Sequence, residues 1–562
     1  MKKKWEFYDI ETEKIEKLSE QLKISPLLIT ILTNRNIEGK DKIATFLNPT
    51  RNDFYDPYLF KDMKTAVTRI IQAIEKKEKI VIYGDYDVDG ITSITVLKKF
   101  LEEIGADVIY YIPNRLEEGY GLNKQAIEKI AKEQVSLMIT VDCGISGIED
   151  IDYAKKLGIE TIVTDHHETL DILPNAVAII DAKRKDNTYP FRELAGVGVV
   201  FKLIQAISIK LGLNEKEYLK YLDIVCVGTI SDIVPLVDEN RIIAKLGLKL
   251  IKQTKNIGLK ELLKACGYAD VNSSTISFGV APRINACGRM GKQEEALKLF
   301  LSEDLEEVKQ ITQKLNNYNA ERQDTERKIF EQALSKIQEE NLESRSSIVL
   351  GDERWHHGVI GIVASKVTEM FFKPSLLICF DGNMGKGSGR SIPGFDLHEA
   401  LLNTSSWLEK YGGHSMAVGL SLKRENFEGF KKTFEELADK SNVKEIVPII
   451  KIDKQITAKD MTKENVEAIQ LLEPFGEGNK IPIFMYKGLK IDSIRALSEN
   501  KHIKLTLRDD NIILDAIGFN MGHLAEDYRI GDKIDVVGTL EINSFNGLEK
   551  IQINLKDMRK SY

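Results

Sequence analysis

The chain has 562 residues, a hydrophobic content of 43% and a formal net charge of −7 at pH 7. This length exceeds what one hydrophobic core supports, so we expect three or four domains of an ordinary soluble protein. No apolar run approaches the roughly 20 residues that span a bilayer, and no apolar segment follows the basic start, so we expect neither a membrane anchor nor a signal peptide. The acidic balance argues against a nucleic-acid-binding surface over the whole molecule, but it is compatible with a local basic groove.

The five cysteines are widely scattered and include no C-x-x-C pair. This spacing favours neither a disulfide framework nor a structural zinc site. We therefore expect a cytoplasmic protein.

Between about residues 77 and 182, apolar strands alternate with amphipathic helices. The predicted strands cover residues 79–83, 107–112, 136–141, 159–163 and 176–180. The predicted helices cover residues 92–104, 123–133 and 146–157. This alternation predicts an α/β domain with a mostly parallel sheet covered by helices on both faces.

The remainder of the chain changes character several times. Residues 195–300 are typical of helices, residues 302–341 predict one long solvated helix, and residues 346–440 predict a second α/β unit. Short alternating strands after residue 448, at 503–507, 512–519, 533–540 and 551–555, predict a small β-barrel. The expected divisions are an N-terminal helical segment (1–45), the parallel-sheet domain (46–255), a helical connector (256–345), the second α/β domain (346–445) and the barrel (446–562).

Carboxylates and a histidine follow the predicted parallel strands. The residues just past strand ends are Asp85, Asp87, Asp89, Asp142, His166 and Asp181. Ligands of parallel sheets collect at this edge, and so many acidic groups do not pack into a dry core without a cation. Oxygen and imidazole donors suit Mn²⁺ or Mg²⁺, and a pair of such ions is suited to phosphoryl transfer.

Asp87 and Asp89 are two positions apart in what we predict to be an extended segment, so they could reach two adjacent ions. The alternative is a solvated acidic turn that caps a helix starting near Thr92. Asp142 alone would also be ordinary at a helix N-terminus. The joint placement of these residues with Asp232, at element ends of one domain, favours the metal site.

Several segments resemble a known family. Gly84–Gly90, Val141–Gly144, Thr164–His167 and Gly228–Pro235 resemble the four motifs of the DHH phosphoesterase superfamily, and Tyr411–Gly419 resembles the signature of its DHH-associated domain. Narrower resemblances connect the chain to the RecJ family of bacterial single-stranded-DNA exonucleases; they lie at Ala281–Arg289, Trp355–Ser365, Gly387–Ser391 and Leu472–Asn479.

The resemblance implies roles for the acidic residues. Asp87 and Asp232 would hold one divalent ion, Asp89 and His166 the other, and Asp142 would bridge the two. Many relatives have a histidine where this chain has Tyr83, so the first ion would rely on Asp85 or on water, or would be bound more weakly.

The next histidine, His167, is our candidate for a hydrogen bond to the scissile phosphate. An equally supported alternative is that His167 only orients its neighbours.

A second candidate site lies at Ser388, Gly389 and Arg390, where free backbone N–H groups, a hydroxyl and a guanidinium would bind a terminal phosphate. A plain glycine turn is the alternative. The resemblance adds Arg115 to Ser388 and Arg390 in a pocket for the 5′-phosphate. It also implies that Gly413 and His414 hold the nucleic-acid backbone near the metals.

Two further features bear on nucleic-acid binding. Arg283 and Arg289 are each interpreted as a phosphate contact or as a partner in a buried ion pair with the acidic cluster. The predicted barrel resembles an oligonucleotide-binding (OB) fold, which grips single strands by charge and aromatic stacking. Its available aromatic residues are Phe475, Tyr486, Phe519 and Phe545.

The resemblance implies a 5′→3′ exonuclease on single-stranded DNA that releases 5′-mononucleotides with two Mn²⁺ or Mg²⁺ ions and serves DNA repair and recombination. We expect a monomer with no membrane association, and a helicase and a single-strand-binding protein as partners. One alternative is a DHH phosphoesterase for small substrates, which would generally lack the barrel. The other is a catalytically inactive DNA-binding protein.

Overall fold

The computed structural model describes residues 3–561 except 10–11, 115–117, 120, 269 and 546–547. It divides into two compact units. The first unit comprises Lys3–Tyr111, Gly121–Ala281 and Ile449–Tyr562. The second unit comprises the described residues of Ile112–Tyr120 and Pro282–Pro448.

The first unit begins with helices and with a short strand that the sequence analysis did not predict. These elements are β1 (Lys4–Phe7), α1 (Thr12–Leu22), α2 (Pro26–Asn34) and α3 (Lys40–Leu47). Ser25 caps α2 by accepting a hydrogen bond from the amide of Leu28, and Pro26 occupies the first turn, where its missing N–H costs nothing. The apolar residues of α2 are buried.

The predicted parallel sheet is confirmed. Its elements are α4 (Met63–Glu75), β2 (Lys79–Gly84), α5 (Val88–Glu103), β3 (Asp107–Tyr111), α6 (Lys124–Lys132), β4 (Val135–Val141), α7 (Ile148–Lys156), β5 (Glu160–Thr164) and β6 (Ala178–Ile180). The strands run parallel in the order β3-β2-β4-β5-β6. Every strand therefore delivers its carboxyl end to the same edge.

A largely helical region follows, as predicted for residues 195–300. Its helices are α8 (Gly196–Leu211), α9 (Lys216–Leu219), α10 (Leu222–Ser231), α11 (Asp238–Ile251), α12 (Ile257–Cys266), α13 (Ala281–Arg289) and α14 (Gln293–Leu301). A π-helical segment, Thr275–Val280, leads into α13. Helices α8 and α10 are apolar on nearly all sides and nearly wholly buried, as expected of helices packed between other elements.

The second unit contains the predicted long helix and the second α/β domain. The elements are α15 (Leu305–Glu339), β7 (Ile348–Asp352), α16 (His357–Phe371), β8 (Ser375–Asp381), β9 (Met384–Arg390), α17 (Leu397–Asn403), β10 (Lys410–His414), β11 (Ala417–Lys423) and α18 (Phe427–Lys440). The five strands form one sheet in the order β10-β11-β9-β8-β7. Only the pair of β7 and β8 is parallel.

The chain then returns to the first unit and forms the predicted barrel. The elements are β12 (Ile449–Ile452), β13 (Lys454–Gln455), α19 (Lys463–Gln470), β14 (Phe484–Leu497), β15 (His502–Asp509), β16 (Ile512–Gly518), β17 (Lys533–Phe545) and β18 (Leu548–Lys560). Strand β14 is an addition to the predicted strands. It pairs with both β15 and β17, which closes the barrel.

One hydrophobic core serves both the N-terminal helices and the barrel. Ile29 and Leu32 of α2 belong to the same buried cluster as Leu505 and Val536 of the barrel strands. Strand β1 pairs in parallel with β12, so the N-terminal strand is also tied to the barrel segment. Within the described part of the chain, none of the helices combines the length and apolarity that crossing a membrane requires.

Candidate metal centre and phosphate site

The first acidic segment folds differently from the prediction. Helix α5 begins at Val88 rather than near Thr92, because the Asp87 carboxylate caps it by accepting a hydrogen bond from the amide of Gly90 at 3.0 Å. Asp89 therefore lies in the first helical turn, and the predicted extended segment is wrong. The helix cap and the acidic cluster, which the sequence analysis treated as alternatives, occur together. The same turn supplies Asp87 as the cap and Asp89 as a buried carboxylate.

A second helix terminus holds Asp89 in place. Its carboxylate accepts hydrogen bonds from the amides of Gly196 at 2.6 Å and Val197 at 2.8 Å, the first residues of α8. Amides at a helix N-terminus have no partner inside their own helix, and the helix dipole favours a negative charge there. The sequence prediction did not include this contact, although an Ala-Gly-Val-Gly segment opening an apolar helix is a signal for close backbone approach.

Asp142 follows β4 in a left-handed backbone conformation, with φ of 58°. Its amide donates to the carbonyl of Thr164 at the end of β5. A β-carbon on Gly196 would lie only 2.8 Å from the β-carbon of Asp142, so glycine is what allows α8 to approach this carboxylate.

The imidazole of His166 lies at the centre of the carboxylates. Its Nε2 atom is 3.1 Å from Oδ1 of Asp142, 3.6 Å from Oδ2 of Asp232 and 3.9 Å from Oδ2 of Asp89. Both His166 Nε2 and Asp142 Oδ1 are buried and have no hydrogen-bond partner among the described residues. Buried polar atoms in this state are rare unless a ligand satisfies them.

The candidate ligands form three overlapping groups whose donor atoms lie within 4.8 Å of one another. The groups are Asp85, Asp87 and Asp142; Asp89, His166 and Asp232; and Asp142, His166 and His167. Asp142 belongs to two of them, as a bridging carboxylate would. The parallel sheet thus brings together all six metal ligands predicted from the sequence, while the pairing of each with a particular ion stays a prediction.

The electrostatics of the cluster favour a cation. Burial, followed by the charge of Asp87, raises the pKa of Asp89 to about 7. Burial and the neighbouring carboxylates also raise the pKa of Asp142 and of Asp232 well above the usual aspartate value. Burial lowers the pKa of His166 to about 3, so its imidazole is neutral and able to donate a lone pair. These donors fit one or more divalent ions, which would offset the repulsion between the carboxylates.

His167 is oriented by Asp165, a residue absent from the predicted site. The Nδ1 atom of His167 lies 2.7 Å from Oδ1 of Asp165, which also accepts the backbone amides of His166 and His167. The other oxygen of Asp165 accepts the amide of Ile145. The sequence did offer a signal for this role, because Asp165 is the first residue of the Asp-His-His sequence and directly follows a buried strand.

Two further residues of this region have defined surroundings. The ring of the buried Tyr83 stacks on Tyr111 with centroids 5.4 Å apart, and its hydroxyl donates to the carbonyl of Gly121 at 2.9 Å. Asp181, past the end of β6, is buried, and burial followed by the charge of Asp165 raises its pKa to about 7.

In the second unit, the predicted phosphate segment is a strand. Residues 387–390 belong to β9, which pairs with β8 on one side and β11 on the other. Both the glycine-turn interpretation and the expectation of free backbone N–H groups are therefore wrong. A β-carbon on Gly387 or Gly389 would lie within 3.0 Å of buried side chains such as Ile378 and Leu376, so the glycines make room for the core.

The same alternation places Ser388 and Arg390 on the opposite face of β9, against α16. A β-carbon on Gly361 of that helix would lie 3.2 Å from Ser388 Oγ and 3.5 Å from Arg390 Nη2. Arg390 also donates to the carbonyl of Gly389. The hydroxyl and the guanidinium are therefore neighbours, as the prediction requires.

The remaining predicted nucleic-acid contacts are spread over the second unit. Arg283 donates from Nε to Asn316 of α15 at 2.6 Å, and Arg289 donates to the carbonyl of Gly358 at 2.9 Å. Gly413 and His414 lie on the exposed edge strand β10. Arg115 lies outside the described residues.

Among the aromatic residues considered for stacking, Tyr486 is 1% exposed and belongs to the core. Phe475 is partly buried against the same core. Phe519 is 51% exposed and meets the ring of His502 edge-on, with centroids 5.3 Å apart. The side chain of Phe545 lies outside the described residues.

Comparison with known proteins assigns the chain to a family. Residues 79–229 match the DHH family, N-terminal domain; residues 345–440 match the DHHA1 domain; and residues 452–557 match the RecJ OB domain. The single-stranded-DNA-specific exonuclease RecJ of Bacillus subtilis (strain 168) is 40% identical over 99% of this chain and 71% of its own length. The chain belongs to the RecJ family.

Other RecJ proteins support the assignment. The single-stranded-DNA-specific exonuclease RecJ of Haemophilus influenzae is 32% identical over 94% of this chain and 95% of its own length. The crystal structure of RecJ in complex with Mn²⁺ from Thermus thermophilus covers all of this chain and 80% of its own, with a TM-score of 0.87 and 29% identity. The RecJ structure with Mg²⁺ from the same organism has a TM-score of 0.81 and 28% identity. The predicted fold class is thereby confirmed.

Proposed function

We propose that this protein is a metal-dependent exonuclease that hydrolyses single-stranded DNA from its 5′ end and releases 5′-mononucleotides. The observation that carries the proposal is the convergence of Asp89, Asp142, His166 and Asp232 at one edge of a parallel sheet, in a chain of the RecJ family. The predicted OB barrel supports a polymeric substrate rather than a small one.

The cluster would hold two Mn²⁺ or Mg²⁺ ions, with Asp142 contributing to both. When bound, a pair of such ions lowers the pKa of a water molecule and stabilises the charge that develops on the phosphate. The chain contributes a fixed set of ligands. The N-terminal amides of α8 hold Asp89, and the left-handed backbone of Asp142 directs its carboxylate toward His166.

His167 would donate a hydrogen bond to the scissile phosphate. Burial alone would lower the pKa of His167, but the hydrogen bond and charge of Asp165 outweigh burial and raise it. The same contact occupies Nδ1, so the hydrogen bond to the substrate would be donated by Nε2.

The 5′-phosphate would be recognised by Ser388 and Arg390. Their side chains share one face of β9 beside Gly361, and a hydroxyl next to a guanidinium is a suitable pair of donors for a phosphate dianion.

The proposal also covers the compartment, the oligomeric state and the partner proteins of the enzyme. None of the five cysteines, all of which lie among the described residues, is in a disulfide bond, which fits a reducing compartment such as the cytoplasm. The protein would act as a monomer on strands supplied by a helicase and kept open by a single-strand-binding protein during repair and recombination. Light scattering on the purified chain, expected near its mass of 63.6 kDa, tests the monomer.

The decisive experiment uses one oligonucleotide labelled at either the 5′ or the 3′ end, with and without its complement, in the presence of Mn²⁺. We expect the 5′ label to appear at once as a mononucleotide, the 3′ label to shorten progressively, and the duplex to resist digestion. Early release of the 3′ label contradicts the direction, and binding without cleavage contradicts the enzymatic proposal. Turnover confined to dinucleotides would favour a small-substrate phosphoesterase.

A further inference from the structure

The turn that carries the metal ligand Asp232 has an unfavourable backbone. This Asp232 turn comprises Ser231–Val237, between the end of α10 and the start of α11. Ile233, directly after the ligand, has φ of 63° and is 71% exposed. A β-branched residue rarely adopts the left-handed conformation, and no burial of its side chain compensates for it. The turn therefore depends on contacts from elsewhere.

Those contacts come from Leu472–Asn479, which we call the brace. The backbone amide of Leu236 donates to the carbonyl of Glu477 at 2.7 Å. A β-carbon on Gly476 would lie 2.7 Å from Cδ1 of Leu236. A β-carbon on Gly478 would lie 3.0 Å from Cβ of Pro235. The Asp232 turn thus lies directly on the two glycines.

The brace is itself a closed and rigid loop. Asn479 is fully buried, and its side-chain amide donates to the carbonyls of Leu472 and Pro474, both at 2.8 Å. The backbones of Gly476 and Asn479 also bond to each other in both directions. Ser273 adds a hydrogen bond from its hydroxyl to the carbonyl of Phe475 at 2.7 Å.

Two consecutive residues of α11 join the turn to the brace. Asn240 donates to the carbonyl of Pro235 at 3.1 Å. Arg241 is 1% exposed and donates to the carbonyl of Glu473 at 3.0 Å and to that of Phe46 at 2.6 Å. These partners are backbone carbonyls, so the buried guanidinium fastens chain segments together.

We infer that the brace is a positioning element of the metal centre, because it fixes the Asp232 turn and thereby the position of the Asp232 carboxylate. The inference rests on the proposed function, since it presupposes that Asp232 holds a divalent ion. It assigns to the Leu472–Asn479 segment a role in metal binding rather than in contact with DNA. The barrel and the metal centre are then coupled through this segment.

The test compares two glycines with the same backbone requirement. Gly478 has φ of 68° and faces Pro235, whereas Gly488 has φ of 69° and has open space around it. Alanine at either position introduces the same backbone strain, but only Gly478→Ala crowds the Asp232 turn. Titration of Mn²⁺ into each full-length protein by calorimetry measures metal affinity directly, without reference to nuclease activity.

We expect Gly478→Ala to weaken one Mn²⁺ site at least about tenfold, in the range of losses for residues that orient ligands. We expect Gly488→Ala to bind Mn²⁺ like the wild type and to lose only the thermal stability that the backbone strain costs, since no neighbouring atom crowds its new β-carbon. Gly476→Ala, which crowds Leu236, is the second variant if Gly478→Ala fails to fold.

The inference would be overturned if Gly478→Ala and Gly488→Ala had equal Mn²⁺ affinity, whether both bind like the wild type or both bind more weakly by the same factor. Failure of the wild-type protein to bind Mn²⁺ would instead overturn the proposed metal centre, so the two failures are distinguishable.

Discussion

The carboxylate of Asp165 accepts a hydrogen bond from Nδ1 of His167 at 2.7 Å, so in the proposed role His167 would meet the substrate through its other ring nitrogen, Nε2. The interaction with His167 outweighs burial and lowers the pKa of Asp165, so the aspartate stays ionised. An ionised carboxylate behind an imidazole favours the imidazolium and holds the ring in one orientation.

Asp165→Asn should therefore reduce kcat by about 10-fold to 100-fold while leaving Mn²⁺ affinity within about threefold of the wild type. The asparagine keeps the shape but loses the charge that raises the pKa of His167. The alkaline limb of the pH profile of kcat/KM should consequently move to lower pH. An unchanged limb would show that the protonation of His167 does not matter, and His167→Ala is the control that should remove the limb.

Asp142→Asn should lower turnover by more than about 100-fold, beyond the loss expected for a residue that only orients ligands. In chelator its melting temperature should rise, because asparagine avoids the cost of burying a carboxyl group whose pKa the site raises well above its usual value. The increase in melting temperature on adding Mn²⁺ should be smaller for this variant than for the wild type. Melting curves with chelator and with Mn²⁺ measure both effects, and retained activity would contradict the bridging role.

Arg390→Ala should reduce the preference for 5′-phosphorylated over 5′-hydroxyl ends by about tenfold, because it removes a charge-assisted contact to the terminal phosphate. The measurement is the ratio of kcat/KM on the two substrates. Lys386→Ala is the matched control, since Lys386 is an exposed cation on the same strand and the same face. A ratio changed equally in both variants would indicate a general loss of positive charge.

The metal-free protein should lose stability as the pH rises from about 5 through about 7. Asp89, with its pKa raised to about 7, and Asp142 and Asp232, with pKa values raised well above the usual one, keep protons in the folded state that the unfolded chain has already released; each contribution ends once the pH has passed the folded pKa, which for Asp89 is about 7. His167, with its raised pKa, contributes in the same direction above about pH 6.5. His166, with its pKa lowered to about 3, opposes the loss below about pH 6.5, because only the unfolded chain protonates it there, but the three carboxylates outnumber it. Saturating Mn²⁺ should flatten the dependence, because the cation replaces the protons. Melting temperatures in chelator that rise with pH would contradict this account.

The sequence predicted the parallel sheet and the clustering of the candidate metal ligands because both follow from local patterns. Apolar strands that alternate with amphipathic helices place strand ends together, so Asp142 and His166 were expected to meet. The start of α5 was misjudged because a capping aspartate and a ligand aspartate have the same side chain. The segment around Ser388 was misjudged because glycine indicates both turns and close packing, and the two are distinguished by side chains distant in sequence, such as Leu376, that pack against the glycines.

Other features depend on residues far apart in sequence and were not accessible to pattern analysis. The contact of Asp89 with the N-terminus of α8 joins Asp89 to Gly196, and the brace joins Leu236 to Glu477. The hydrophobic periodicity of one segment does not indicate which distant segment it contacts. The core shared by the N-terminal helices and the barrel is of the same kind, since each part separately predicts only its own apolar face.

The core shared by the N-terminal helices and the barrel has a consequence for folding during translation, because neither part can complete this core without the other. Helices α1 to α3 leave the ribosome first, but their packing partners from Ile456 onward follow on the order of 400 residues later. At a translation rate of roughly 5–20 residues per second, the apolar side of α2 stays without its packing partners for tens of seconds. The parallel sheet forms from contiguous segments in the meantime. A protease present during translation should therefore cleave the N-terminal helices until the barrel has emerged, and chaperones that shield apolar helices should increase the yield of the complete protein.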